Sequence, residues 1–332
     1  MKTDSLRVRL NLIAASLLLL SVSAGMAFQT RGDSQSFRVE SALVTVPVLV
    51  GDSQGRYLFG LKADKFSLYQ DGIPANISLF LTSEDPIKIA LLMDTSPSTT
   101  AVLKKIKEAA LRFLQQMRPK DVAMVVGFDS EIQVLCPLSS DPKELRDAIK
   151  KAKPGGMNTR IRDAIVEIAQ KRFRSISGRK AIVLLTDGED HGSMISTPNL
   201  LNEIAASSTI IYPVFYRVDP RQLLKKLTGV SRIPMVTSGG PDQSKEDWER
   251  REREATKFLE DIAELSAGRV YRSNIEQLDG AFRQVSEELR SQYLLGFYPD
   301  ESKLDGQLHT LDVRVAVPDS VVRSRRNYRA VR

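Results

Sequence analysis

Short apolar runs alternate with amphipathic patterns through the middle of this 332-residue chain, and this alternation admits few architectures. Strand-like runs lie at residues 87–94, 122–128, 181–187 and 209–216. Helical patterns lie between and after them, at about residues 101–117, 141–151, 162–173, 198–206, 250–266 and 275–290. Strands joined by helices form parallel sheets covered on both faces, with right-handed crossovers. The sequence therefore predicts an α/β fold, doubly wound around a mostly parallel sheet.

Two shorter runs lie at the margins of this pattern. Residues 132–138 follow the strand at 122–128 too closely for a helical crossover, which predicts an antiparallel edge strand. The single cysteine, Cys136, lies in this run, so a disulfide within the chain is excluded and a buried thiol is expected. Residues 268–271 are predicted to form a last short strand.

Both ends of the chain have a different, β-rich character. Residues 31–85 and 291–332 contain strand-like stretches separated by turns, and neither segment has enough strands for a stable sheet pair alone. Since the α/β segment, residues 86–290, lies between them, we expect one small β-sandwich assembled from both ends. The predicted α/β domain is then an insertion in that sandwich.

The amino terminus predicts export. Lys2, Arg7 and Arg9 precede a charge-free stretch from residue 10 to residue 30, and small residues near its end suit cleavage. Residues 1–27 are therefore predicted to be a signal peptide, which places the protein in the periplasm or outside the cell, free or membrane-associated. The alternative is an uncleaved anchor, because the stretch approaches membrane-spanning length.

Three oxygen-bearing pieces follow strands or lie on adjoining loops of the predicted sheet. Asp94, Ser96 and Ser98 come at the end of the run 87–94, Thr159 follows a glycine pair, and Asp187 ends the run 181–187. Open α/β sheets place ligand sites outside the carboxyl ends of their strands. Two carboxylates with three hydroxyls suit a hard divalent cation, so we predict a metal site.

In this pattern the chain resembles the von Willebrand factor type A domain, over roughly residues 86–290. Asp94, Ser96 and Ser98 match its Asp-x-Ser-x-Ser loop, Thr159 its lone threonine, and Asp187 its Asp-Gly turn. The resemblance implies a metal-ion-dependent adhesion site in which both serines and the threonine ligate the metal directly. The two aspartates are then direct or water-mediated ligands. Mg²⁺ fits this oxygen set, with Mn²⁺ and Ca²⁺ as alternatives.

The flanking segments resemble the VWFA-related proteins of acidobacteria, which typically carry a signal peptide. The resemblance depends on Gly60, Leu61, Asp64 and Phe66, on the stretch 69–72, and on the stretch 292–297. It implies the fold, but not the partner.

A metal-dependent protein-binding module is the function that this resemblance implies, with an acidic side chain of the partner completing the metal shell. Gly156, Asn158, Glu189 and His191 are the candidate rim residues for that contact. A purely structural interpretation is the alternative, in which the serines only cap a helix and Asp-Gly only forms a turn. The alternative function is a metal-independent structural component of a cell-envelope assembly.

Other function classes find little support in the sequence. Two histidines, His191 and His309, allow no multi-histidine zinc site, and no phosphate-binding loop or nucleophile elbow is present. We therefore expect no enzyme and no nucleotide. The formal net charge of +7 is modest, and the arginines near the carboxyl end lack the interleaved aromatic residues typical of nucleic-acid binding. Trp248 lies in a charged run and is expected to pack on its own domain.

Overall fold

The computed structural model describes residues 43–217 and 241–329, except for the side chains of residues 241–245 and 248. The predicted signal peptide and the packing of Trp248 lie outside the described residues. Within the described ranges, no helix combines the length and the apolar character needed to span a membrane.

A six-stranded sheet forms the centre of the α/β domain, in the order β10-β9-β8-β5-β6-β7. Its strands are β5 (Ile87–Asp94), β6 (Val122–Phe128), β7 (Ile132–Ser139), β8 (Arg179–Thr186), β9 (Ile210–Arg217) and β10 (Tyr271–Asn274). All neighbours are parallel except β6 and β7, which pair antiparallel. The predicted α/β fold and its antiparallel edge strand are confirmed, and Cys136 on β7 is a buried free thiol.

Within the described residues, six helices cover the two faces of this sheet. They are α1 (Leu103–Leu114), α2 (Pro142–Lys151), α3 (Ile161–Val166), α4 (Thr197–Ala206), α5 (Pro241–Leu265) and α6 (Leu278–Ser291). The helix α3 continues as a π-helical turn, Glu167–Arg172. Apolar side chains of α1, α2 and α6 pack on one face, and those of α3, α4 and α5 pack on the other. The buried strands therefore have the near-continuous apolar character of a sheet covered on both sides.

One strand and one helix differ from the sequence prediction. The last strand begins at Tyr271 rather than at Gly268, because residues 267 and 268 end the preceding helix. Ala267 has φ +67°, and Gly268 N donates to Ala263 O, the geometry of a helix C-terminus. A Cβ on Gly268 would lie 1.8 Å from Ile211 O, so the chain requires glycine here. The helix α5 begins at Pro241, earlier than the predicted residue 250.

Strands from both ends of the chain form two four-stranded sheets, ordered β13-β1-β11-β4 and β14-β12-β2-β3. The early strands are β1 (Val44–Gly51), β2 (Phe66–Gln70), β3 (Ile73–Ala75) and β4 (Leu79–Leu81). The late strands are β11 (Tyr293–Phe297), β12 (Leu308–Val315), β13 (Val321–Ser324) and β14 (Asn327–Arg329). A shared apolar core lies between the two sheets. The predicted sandwich of both chain ends is confirmed, whereas the proposed domain boundaries stay a prediction.

The strand β1 joins the sandwich to the α/β domain. Val44, Val46, Val48 and Val50 point into the core of the sandwich, whereas Leu49 packs in the core of the α/β domain. At the opposite end of the central sheet, the carboxyl ends of β5, β6, β8 and β9 meet along one edge, because these four strands are parallel. The candidate site lies at this edge.

Candidate metal site

A chain of four hydrogen-bonded side chains links the ends of β5 and β8. Asp94 Oδ1 accepts hydrogen bonds from Ser96 N at 3.0 Å and from Ser96 Oγ at 2.5 Å. Ser98 Oγ donates to Asp187 Oδ2 at 2.7 Å. The two serine oxygens lie 3.1 Å apart. Asp94 and Ser96 are buried, 0% and 1% exposed, so this part of the site lies below the protein surface.

Thr186 links Asp94 to the turn after Asp187 by hydrogen bonds, and it was not among the predicted site residues. Its Oγ1 donates to Asp94 Oδ2 at 3.0 Å and accepts from Gly188 N at 3.0 Å. Gly188 has φ +82°, and a Cβ there would lie 3.0 Å from Ala255 Cβ, so a glycine must follow Asp187. The hydroxyl directly before the Asp-Gly turn was the available signal.

Thr159 lies on a third loop, directly before α3, and is buried at 5% exposure. Its carbonyl oxygen accepts hydrogen bonds from His191 N and Gly192 N, both at 3.1 Å. A Cβ on Gly192 would lie 2.7 Å from Asn158 Cβ, which shows how closely the two loops approach. The structure thus fastens the Thr159 loop to the loop that follows Asp187.

The glycine pair ahead of Thr159 packs on the end of β6. Gly156 has φ +58°, and a Cβ there would lie 2.5 Å from Ser130 Oγ and 2.7 Å from Asp129 Oδ1. Ser130 Oγ accepts hydrogen bonds from Met157 N and Asn158 N, at 3.0 and 3.1 Å. Sequence analysis missed Asp129 and Ser130, although both directly follow a predicted strand.

Asp129 also connects this loop to the first one. Thr95 Oγ1 donates to Asp129 Oδ2 at 2.9 Å, and Thr95 N donates to Phe128 O at 2.9 Å. Thr95 lies between the two residues Asp94 and Ser96 of the hydrogen-bonded chain. Loops that follow three neighbouring strands are therefore held together around one point.

The predicted rim residues surround this point with mixed exposure. Asn158 and His191 are exposed, and His191 Nε2 lies 3.0 Å from Glu189 Oε2. Gly156 is a positive-φ position of the loop, so its role here is conformational. A role in partner contact stays a prediction for all four residues.

Residues 89–189 match the sequence model of the von Willebrand factor type A domain, a range that begins in β5 and ends just past Asp187. The chain carries a von Willebrand factor type A domain. No curated protein matches the chain.

Several solved structures resemble this von Willebrand factor type A domain. BatB from Bacteroides thetaiotaomicron is 16% identical, with a TM-score of 0.44, and the match covers 62% of this chain and 97% of that one. Proximal thread matrix protein 1 from the mussel byssus, with a zinc-occupied MIDAS motif, is 16% identical with a TM-score of 0.48. That match covers 65% of this chain and 48% of the mussel chain, so this chain spans about half of the mussel protein.

Burial controls the electrostatics of the site in the von Willebrand factor type A domain. Burial, and then the negative charge of Asp187, raises the pKa of Asp94 to about 7, although hydrogen bonds from Ser96 and Thr186 act in the opposite direction. Burial also raises the pKa of Asp187, against the hydrogen bond from Ser98. Two carboxylates with raised pKa values compete for protons unless a cation offsets their charge.

The donor set fits a hard divalent cation. Ser96 Oγ and Ser98 Oγ each lie within hydrogen-bond distance of a carboxylate oxygen and lie 3.1 Å from one another. Each hydroxyl oxygen also has lone pairs that can face a cation. Among the described residues, no three His, Cys, Asp or Glu side chains cluster as metal ligands, so a cation here depends on hydroxyl oxygens. Oxygen-only donors favour Mg²⁺, Mn²⁺ or Ca²⁺ over metals that prefer nitrogen or sulfur.

Proposed function

We propose that this protein is an exported, metal-dependent protein-binding module. Mg²⁺ is held among Asp94, Ser96, Ser98, Thr159 and Asp187, and a carboxylate of the partner protein completes its coordination. The pair of serine oxygens carries this proposal, because Ser96 Oγ and Ser98 Oγ lie 3.1 Å apart and each lies beside a carboxylate. A cation bound by both hydroxyl oxygens therefore lies next to two negative charges.

The balance between the two aspartates and a divalent cation supports a protein ligand with an acidic side chain. Two carboxylates balance a dication formally, but a hydroxyl-rich site in which an aspartate acts through water leaves positive field at its open side. That field attracts a carboxylate from outside. The role of the bound cation is therefore to supply an electrophilic contact point for the partner.

A binding role fits this site better than a catalytic one. Ser96 and Ser98 donate to carboxylates and not to a histidine, so neither has the base that a serine nucleophile needs. His191 contacts Glu189, and His309 lies in the sandwich.

The metal half of the proposal is tested by calorimetric titration of Mg²⁺ into the wild-type protein and Asp94→Asn. We expect the variant to lose measurable binding, since it removes the charge that offsets the dication. The matched control is Asp121→Asn, because Asp121 is also a buried carboxylate but accepts from Ile87 N and Arg118 N at the other end of β5. Equal affinity in all three proteins would refute the metal site.

The partner half is tested by capture from a cell-envelope extract, with Mg²⁺ or with EDTA, on wild type and Asp94→Asn. Metal-dependent capture that the variant loses supports the proposal. Capture that persists in EDTA and in the variant supports the alternative, a metal-independent structural component of the envelope.

Export rests on the amino-terminal sequence, with its basic residues and charge-free stretch. Intact-mass measurement of the protein from its native source should show loss of the first 24 or 27 residues. A full-length mass would identify the segment as an anchor.

A further inference from the structure

Tyr216 lies near the end of β9 and its hydroxyl is fully buried. The side chain is 0% exposed, and within the described part of the chain its Oη makes no hydrogen bond. Buried polar groups are nearly always hydrogen-bonded, so this hydroxyl indicates a partner that the described residues do not supply.

The register of the central sheet places Tyr216 at the candidate metal site. Thr186 of β8 pairs with Phe215 of β9, so Tyr216 continues at the level of Asp187. Leu185 pairs with Met93 of β5, which brings Asp94 to the level of Thr186. Neighbouring strands lie about 4.8 Å apart, so Tyr216 is one strand from Asp187 and two from Asp94.

The ring of Tyr216 faces the side of the sheet on which the serine loop continues. Tyr216 packs in the same core as Met93 and Leu185, and α1 covers this face. Ser96 and Ser98 lie on the segment that leads into α1. Tyr216 therefore packs on the face of the sheet that is covered by the helix following the serine loop.

The charges of the site act directly on this hydroxyl. Burial raises the pKa of Tyr216 well above its ordinary value, and the negative charges of Asp94 and then Asp187 raise it further. The phenol consequently stays protonated and able both to donate and to accept.

We propose that Tyr216 is a positioning residue of the cation site, whose hydroxyl bonds to the water that accompanies a bound Mg²⁺. The inference rests on the proposed function. Mg²⁺ usually keeps several of its waters, and these need hydrogen-bond partners in a buried site. Tyr216 Oη is a polar group at this edge to which no described residue hydrogen-bonds, so it is available to such a water.

The test compares Tyr216→Phe with Tyr212→Phe by calorimetric titration of Mg²⁺ into the full chain. Tyr212 is the control, because it lies four residues earlier on β9 and is equally buried. Its hydroxyl interacts with Glu288 and not with the site. We expect Tyr216→Phe to weaken Mg²⁺ binding about tenfold or more, the usual effect of losing an outer partner of a metal site. Tyr212→Phe should bind as the wild type does.

Thermal unfolding in EDTA separates positioning from a purely structural role. If Tyr216 positions water only when the cation is present, Tyr216→Phe keeps or raises the metal-free melting temperature, because it removes an unpaired buried group. A lowered metal-free melting temperature with unchanged Mg²⁺ affinity would overturn the inference. Wild-type protein that binds no Mg²⁺ would refute the proposed function itself, a result distinct from equal affinity of wild type and Tyr216→Phe.

Discussion

At the scale of one residue, Asp94 is a carboxyl group that the fold buries completely. Its carboxylate accepts three hydrogen bonds in a position with no exposed surface, and those bonds offset only part of the cost of burial. The free energy of the metal-free protein should therefore depend on whether this group holds a proton.

The first prediction concerns this proton. The folded pKa of Asp94 is about 7, above the ordinary 3.8, so the folded state binds a proton that the unfolded state releases. This stabilisation is fully present below about pH 4 and is lost as pH rises to about 7. Urea unfolding in EDTA should show wild type losing roughly 2–3 kcal/mol relative to Asp94→Asn between pH 5 and pH 8. Parallel pH profiles of the two proteins would contradict this.

His309 also has a raised pKa, but here the fold favours the charged form of the side chain, whereas at Asp94 it favours the neutral form. It is 6% exposed, and its Nδ1 and Nε2 lie 2.9 Å from Asp71 Oδ2 and 3.0 Å from Asp305 Oδ1. Burial lowers the pKa of His309, but the bonds to Asp71 and Asp305 outweigh it, and the net shift is upward. The charged imidazole thus ties the turn after β2 to the start of β12.

The second prediction follows from this upward shift. The stabilisation by His309 is fully present below its ordinary pKa of about 6.5 and is lost as pH rises through the raised value. His309→Gln should therefore cost more free energy of unfolding at pH 6 than at pH 9. The control is His191→Gln, since His191 is exposed beside Glu189. An equal cost of His309→Gln at both pH values would show that the ring acts only by packing.

At the scale of the element, the loop between α2 and α3 is fixed by close contact with the end of β6. Its glycines leave no space for a side chain, and its backbone N–H groups bond to Ser130 Oγ. Thr159 follows in the same loop, so the position of its side chain depends on this contact.

The third prediction is that Gly156→Ala disturbs both stability and metal binding. A non-glycine residue at positive φ costs roughly 1–2 kcal/mol, and the contact with Ser130 and Asp129 adds to this. Gly55→Ala is the control, because Gly55 has φ +78° and a Cβ there would meet no atom within 4 Å. Gly156→Ala should unfold at lower urea than Gly55→Ala and bind Mg²⁺ more weakly. Wild-type affinity in Gly156→Ala would show that the loop does not position a ligand.

Local pattern predicted most of the elements because the runs of β5, β6, β8 and β9 are short, apolar and bounded by polar residues. It misplaced β10, because the positive φ of Ala267 and the approach of Gly268 to Ile211 are tertiary features. In the site, residues of the recognised pattern could be named from sequence. Tyr216 could not, because its importance comes from strand register and not from spacing along the chain.

At the scale of the whole molecule, a buried carboxylate connects the α/β domain to the sandwich. Glu288 on α6 is 1% exposed and accepts a hydrogen bond from Tyr57 Oη at 2.7 Å. Arg323 of β13 pairs with its other oxygen, and Arg269 Nε lies 3.7 Å from Oε1. The negative charge of Glu288 is therefore balanced by Arg269 of the α/β domain and Arg323 of the sandwich.

The fourth prediction is that Glu288→Ala costs the protein about 3 kcal/mol or more in urea unfolding, because it leaves Arg323 without its partner in a partly buried position. Tyr57→Phe removes one hydrogen bond and should cost only about 1 kcal/mol. If both variants lose the same small amount, the pair does not join the two parts.

The pairing of β1 with β11 has a consequence during synthesis. Val44 lies opposite Phe297, so β1 leaves the ribosome about 250 residues before its neighbour on that side exists. At ordinary translation rates this delay is on the order of ten seconds or more. Meanwhile the α/β domain can form from local βαβ units, which brings the two ends together and lowers the entropy cost of the late pairing. The waiting segment is apolar and rich in valine, a composition prone to intermolecular β-pairing, and Pro47 at its centre is the residue that opposes such pairing. A nascent chain released before β11 is complete thus exposes an apolar strand with no neighbour on that side, and it becomes a substrate for chaperones and proteases.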